Sequence, residues 1–364
     1  VAVDRRLLLN IDWVLLSAAL LLAAIGVATI HSATFGGAGA GLYLKQIYLV
    51  GAGVLVLVAS LFVDYRRLAD RAFLLYVATA SVLTWVLIFG PRVAGTRRWF
   101  FVGPIQVQPS EIAKIVAAIF VAKIFSESRK DSLGLTDIVG PGLATGLLAL
   151  LIAAEPDLGT AFCLVPMFLT IALLAGLRLR AVLALFLALV VFGGLGWRYA
   201  LRDYQKTRIY TFLDPSLDPK GAGYQKIQSQ IAVGSGGFLG KGFRQGSQSQ
   251  LGYLPARHTD FIFSVLAEER GFLGVAAVLG LYLLVLFRAL EAARLARDRL
   301  GAMLVAGIAA TLTFQVVYNV AMVAGLVPVK GLPLPLMSYG GASVLSTMMG
   351  LGFILNVRMR RFAN

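Results

Sequence analysis

The sequence is poor in charge, nearly devoid of cysteine and short of acidic residues. Charged side chains make up 14% of the chain, against about 25% in ordinary soluble domains. Hydrophobic residues make up 59%, and the mean hydropathy is +0.82. That balance excludes a soluble domain and predicts an integral membrane protein. The one cysteine, Cys163, lies in an apolar segment, so neither an internal disulfide nor a cysteine metal centre can be built. Acids number 18 against 33 basic residues, for a net charge of +15. In a soluble protein this would suggest nucleic acid. Here the basic residues collect at the ends of hydrophobic runs, so membrane topology and anionic lipid account for most of them. No nucleic-acid partner is predicted.

A helix needs about 20 apolar residues to cross the hydrocarbon core. The runs at 12–32, 43–63, 70–89, 109–126, 136–154, 158–175, 180–199, 260–287, 301–325 and 339–357 meet that need approximately. The expectation is an all-α integral membrane protein of about ten transmembrane helices, forming a single membrane domain over 1–364. A long extracytoplasmic loop, at about 200–259, is expected between helices 7 and 8. The first run is too long for a signal peptide, and no inverted repeat of the transporter kind is visible. Short loops on one side carry Arg5, Arg6, Arg66, Arg67, Arg71, Arg129, Lys130, Arg178, Arg180, Arg288, Arg294 and the C-terminal arginines. The positive-inside rule makes that side cytoplasmic, with both termini on it.

The long loop is the exception, with Arg202, Lys206, Arg208, Lys220, Lys226, Lys241, Arg244 and Arg257. Long loops translocate largely regardless of charge, so an anionic ligand outside the membrane would explain these residues. The run Gly234 to Gly242 invites a phosphate-loop reading, but Ser235 and Gly242 stand where that motif needs Gly and Ser or Thr. Flexible N–H groups and Lys241 could still approach a diphosphate. Gln225 to Val233 is expected to lie on the membrane as a short amphipathic segment.

Other polar groups gather at helix ends on the same side. Glu111 and Lys114, three residues apart after Pro109, form either a structural ion pair or the lining of a polar cavity. Arg97, Arg98 and Trp99 place guanidinium groups beside an aromatic ring. Asp157, after Glu155 and Pro156, either caps the sixth helix or contacts a cation or substrate. Asp260 either caps the eighth helix or acts as a base, with His258 the second candidate. Three prolines between 328 and 336 force irregular backbone, tolerated at membrane depth only where it lines a cavity or is buried in protein. Lys330 would then project into the outer cavity, toward phosphate.

Read together, several strings resemble the SEDS family (shape, elongation, division and sporulation). They are Gln108-Pro109-Ser110-Glu111, Glu155 to Thr160, Gly234 to Gly237, His258-Thr259-Asp260-Phe261 with Glu268-Glu269, and Pro333 to Gly341. They occur in the family's order over nearly the whole chain. Lys241-Gly242-Phe243, Gly246 to Leu251 and Pro328 to Gly331 are more similar to the elongation member than to the division member. Ala256 departs from the acid that the pattern places just before the histidine.

The resemblance implies an inverting peptidoglycan glycosyltransferase of the bacterial cytoplasmic (inner) membrane. It would polymerise lipid II into β-1,4-linked glycan during cell elongation and cell-shape maintenance, releasing polyprenyl diphosphate. Its implied partners are a class B penicillin-binding protein and other elongation-complex proteins. Asp260 matches the family's essential acid, and Glu111 with Lys114 its ion pair. Arg208, Lys330, Lys241, Trp99 and Ser338 are the candidates for substrate contact. A divalent cation, Mg or Mn, is a possible cofactor, with Asp157 and Glu155 as candidate ligands. The alternatives are a lipid II flippase and a non-catalytic scaffold for a penicillin-binding protein.

Overall fold

The computed structural model describes residues 10–36, 39–93, 95–102, 105–128, 130, 132–178, 203–219 and 221–362, with scattered positions between 180 and 198. In chain order its long helices begin with α1 (Trp13–Thr34), α2 (Leu42–Phe62), α3 (Ala72–Phe89), α4 (Pro109–Glu127), α5 (Leu135–Ala154) and α6 (Leu158–Leu174). The shorter α7 (Asp203–Leu213) and α8 (Ala222–Ser235) follow, then α9 (Ile262–Arg294), α10 (Arg299–Val323) and α11 (Gly341–Met359). Strands β1 (Phe100–Val102) and β2 (Ile105–Val107) make an antiparallel hairpin between α3 and α4.

Among the described residues, α1, α2, α3, α5, α9, α10 and α11 are long and apolar enough to cross a membrane. Helix α4 falls outside that set because it carries Glu111, Lys114, Lys123 and Glu127, and α6 because it has 17 residues. The predicted segments fall on α1 to α6 and α9 to α11, as an all-α membrane protein requires. Half of the segment predicted at 180–199 lies outside the described residues.

Lipid offers no hydrogen bonds, so each crossing segment must satisfy its own backbone, and a helix does so. The sequence marks many of the ends. Asp12 accepts from the N–H of Leu15, Asp157 from that of Thr160 and Asp298 from that of Gly301, each filling an orphan donor of a first turn. Pro109 occupies the first turn of α4, where its missing N–H is harmless.

Of these seven helices α10 and α11 are the most enclosed, and α3 presents most of its surface outward. Small residues bring helices close where they cross. A Cβ on Gly352 would lie 2.8 Å from the Leu57 carbonyl oxygen, and one on Gly53 2.9 Å from the Met348 side chain. Exposed Leu55, Phe73, Phe89, Leu143 and Phe287 fit a surface solvated by hydrocarbon. At one end of the bundle Asp12 pairs with Arg288 at 2.8 Å and Arg358 at 2.5 Å. This locks α1, α9 and α11 together opposite the end that carries Asp260.

Helix α9 is interrupted at Gly271, whose φ of 61° and ψ of −160° are non-helical. The glycine run of the long loop docks there. The N–H groups of Lys241 and Gly242 donate to the carbonyls of Glu268 and Glu269, both at 3.0 Å. Those of Phe272 and Leu273 donate back to Gly237 and Phe238, at 2.9 and 3.2 Å. A Cβ on Gly271 would come within 2.3 Å of the Gly240 nitrogen, so the backbones meet only because both residues are glycine. The run expected to offer N–H groups to a diphosphate instead repairs a helix break.

Candidate active site

Asp260 lies half-buried in the turn before α9. The N-cap position of α9 is Phe261, and no side chain caps it, so the structure does not use Asp260 as the cap. Its carboxylate faces the proline segment: a Cβ on Gly331 would sit 3.4 Å from Oδ2 and 3.8 Å from Oδ1. The preceding turn is held by bonds from the Thr259 and Phe261 N–H groups to the Ala256 carbonyl. Ala256 has a φ of 49°, a left-handed conformation uncommon for a residue with a Cβ.

The proline segment, Pro328 to Gly340, is irregular and largely enclosed, with Leu332, Leu334, Leu336 and Met337 buried. It packs so tightly on α1 that a Cβ on Gly26 would approach the Met337 Cα to 2.6 Å. Ser338 serves this packing. Its hydroxyl donates to the Thr259 carbonyl at 2.6 Å and accepts from the Leu334 N–H at 2.8 Å. The Tyr339 N–H donates to the His258 carbonyl at 2.9 Å, and Gln46 donates to the Ser338 carbonyl at 3.1 Å. Ser338 therefore fixes the backbone beside Asp260, a different task from the substrate contact expected of it.

Lys330 stands next to Gly331, with its ammonium 4.2 Å from the centre of the Phe162 ring, a cation–π distance. Gly159 is in contact with Leu332, its would-be Cβ 3.3 Å from Cδ1. Three segments distant in sequence, 155–162, 258–260 and 328–340, thus converge on one place. His258 lies edge-on to Tyr339 with ring centres 5.8 Å apart. Burial, and then the charge of Arg257, lowers its pKa from the ordinary value.

Asp157 is saturated. Oδ2 accepts from Gln108 at 2.7 Å, the Thr160 hydroxyl at 2.9 Å and Ser110 at 3.3 Å, while Oδ1 accepts from the Thr160 N–H at 3.2 Å. It caps α6 and ties it to the start of α4. Glu155 is the opposite case: fully buried, with neither carboxylate oxygen hydrogen-bonded. Burial first, and then Asp157, push its pKa up to about 8 against the opposing pull of Arg98. Among the described residues no three His, Cys, Asp or Glu side chains come together as a metal cage. With Asp157 saturated, this pair does not fit the cation site expected of it.

Glu111 and Lys114 pair at 2.9 Å, both buried, and Ser346 donates its hydroxyl to the same carboxylate. The pair also lines a small, mostly apolar cavity of about 20 Å³ with Ile115, Ile308, Leu312, Thr311, Gln315 and Thr347, room for about one water. Lys241 is committed elsewhere. Its ammonium bonds Glu268 and Ser247, each at 2.8 Å, and Glu268 also accepts from the N–H groups of Gln248 and Ser249. Trp99 is half-buried just before β1. Arg208 lies on α7, and its side chain is outside the described residues.

Helix α8 includes the segment expected to lie on the membrane. One face of it docks on the helix ends, where Ser229 is 3.0 Å from Ser264 and donates to the Val323 carbonyl at 2.8 Å, while Ile227 and Ile231 stay exposed. Sequence reasoning also passed over Asn319, Gln315, Gln46 and Ser346. The available signal was a lone polar side chain inside an apolar span, which is costly in lipid and so marks an interior role.

The family model described as "Cell cycle protein", covering FtsW, RodA and SpoVE, matches residues 7–362. Peptidoglycan glycosyltransferase MrdB of Escherichia coli K12 is 38% identical over 329 residues, 88% of this chain and 86% of its own. RodA of Thermus thermophilus, solved as a crystal structure, superposes with a TM-score of 0.73 at 31% identity, covering 97% of this chain and 98% of that one. A chain from "Structural coordination of polymerization and crosslinking by a peptidoglycan synthase complex" reaches 0.84 at 36% identity, covering 97% and 99%. The match over residues 7–362 and these identities establish that the chain belongs to the FtsW, RodA and SpoVE family.

Proposed function

We propose that this chain is a peptidoglycan glycosyltransferase that polymerises lipid II, with Asp260 as its base. Relatives named for that activity match most of the chain. The observation that carries the residue assignment is the convergence of Asp260, Gly331 and Lys330 at one end of the bundle.

Lipid II presents a sugar linked through a diphosphate to a polyprenyl tail. A polymerase must hold an anion at the membrane surface, admit a lipid laterally and activate a sugar hydroxyl. In the proposed step Asp260 accepts the proton of the acceptor 4-hydroxyl as that oxygen attacks the donor anomeric carbon. The bond to the diphosphate breaks with inversion, giving a β-1,4 link and polyprenyl diphosphate. Lys330, with Arg208 from the loop, meets the charge of the leaving group.

The same reading gives the Asp260 end an extracytoplasmic position and places both termini in the cytoplasm of a bacterial cell. It also gives the chain a class B penicillin-binding protein as partner, in cell elongation. A structural neighbour comes from a peptidoglycan synthase complex, which supports that pairing. The test is purified protein with its cognate penicillin-binding protein, given lipid II with and without a divalent cation, beside Asp260→Asn. Glycan from the wild type and none from the variant is expected. No polymer from folded wild-type complex would overturn the proposal, and lipid II translocation unaffected by the variant would replace it with transport.

A further inference from the structure

Helix α10 ends beneath the site, and near that end it carries Asn319, which is fully buried. Its one amide nitrogen donates to two main-chain carbonyls, that of Asp260 at 3.0 Å and that of Leu332 at 2.9 Å. Both carbonyls belong to irregular backbone, outside any helix or strand. A carbonyl left without a donor inside the protein is destabilising, so the amide has an energetic reason to hold both.

The two carbonyls belong to opposite walls of the site. One is that of the acid itself; the other lies two residues from Lys330 and one from Gly331, which the carboxylate faces. Other ties between these walls, through Ser338 and Tyr339, hold residues 334–339 to residues 258 and 259. Tyr318 bonds the Pro328 carbonyl at 2.9 Å, which anchors the start of the segment to α10. Asn319 thus fastens the stretch just after Lys330 directly to the main chain of the residue bearing the carboxylate. Its Oδ1 accepts no bond, so only the donor half of the amide is in use.

We propose that Asn319 is a positioning residue that sets the register between the Asp260 carboxylate and the Lys330 ammonium by holding both backbones on one nitrogen. This rests on the glycosyltransferase reading for its kinetic consequence, but not for its geometric one. When the register loosens, base and cation no longer meet the acceptor and the leaving group in one geometry, and turnover should fall.

Two variants separate positioning from bulk. Asn319→Ala removes the donor and leaves a cavity. Asn319→Asp keeps the shape but turns an acceptor toward two carbonyls. Both are assayed as the complex with the penicillin-binding protein, on lipid II. The expected result is kcat per folded complex lower by tenfold or more with KM within about twofold. A loss of rate that tracks only the loss of folded protein would overturn the proposal. So would full activity in both variants.

A second measurement is independent of activity. Spin labels go on Ala256→Cys and Val329→Cys, in a background where the buried Cys163 is replaced by alanine. The distance distribution between them should broaden in Asn319→Ala and stay narrow in the parent. An unchanged distribution refutes the clamp. A broadened one, where the parent protein itself makes no polymer, refutes the polymerase reading and leaves the clamp standing.

Discussion

Glu155→Gln gives the most direct test of the electrostatics of the site. Glu155 is fully buried and neither oxygen has a hydrogen-bond partner; burial first and Asp157 second raise its pKa from 4.5 to about 8. The folded protein therefore holds this proton more tightly than the unfolded chain does. Stability from this group is fully present below about pH 4.5, falls as pH rises toward 8 and is flat above it. The slope is about 1.4 kcal/mol per pH unit, and over roughly 3.5 units the ceiling is about 5 kcal/mol. Relaxation and water entry lower the effective figure. Glutamine keeps the shape without the charge, so the variant should match the wild type near pH 4.5 and exceed it in stability at pH 9. The assay is the fraction of detergent-solubilised protein that stays monodisperse after heating, between pH 5 and 9. Parallel pH curves for the two proteins, or a variant less stable than wild type at pH 9, would refute the argument.

Three further outcomes follow from the same structure. Lys241→Met should destabilise the protein, because Glu268 loses its cation while buried, a loss of about 3–5 kcal/mol, yet leave KM for lipid II within about twofold; a tenfold rise in KM would return Lys241 to the substrate site. Gly271→Ala should prevent accumulation of folded protein, since its Cβ would lie 2.3 Å from the Gly240 nitrogen at a φ of 61°, and normal yield with an unchanged heating profile would show that the loop does not dock there. Glu111→Gln should be more damaging in the heating assay than the double change with Lys114→Met, because the single change strands a buried ammonium; the reverse order would deny that the two charges depend on each other.

Much of this arrangement was legible in the sequence because lipid imposes a coarse grammar. Runs of about 20 apolar residues must be helices, and Pro109, Asp157 and Asp298 mark helix starts by local chemistry alone. Charges near helix ends stood out for the same reason, so Asp260, Lys330, Glu111 and Lys114 could be singled out before any coordinates. Pairings could not. Lys241 reads as a free cation in a glycine-rich loop until the fold brings it to Glu268, 27 residues on. The glycine run reads as an anion cradle until its true counterpart, the break at Gly271, is seen.

Asn319 shows why the rest was hidden. An asparagine in an apolar span announces only that it faces the interior, and both of its acceptors are backbone oxygens, which leave no mark in a sequence. The side chains that carry charge in this site were therefore readable from their own chemistry. Those that set distances between the charges act through main-chain atoms of segments 59 and 13 residues away. Substitutions at such positions should change rate while sparing the motifs by which the family is recognised. A chain with every signature residue intact can on this argument still be a poor polymerase.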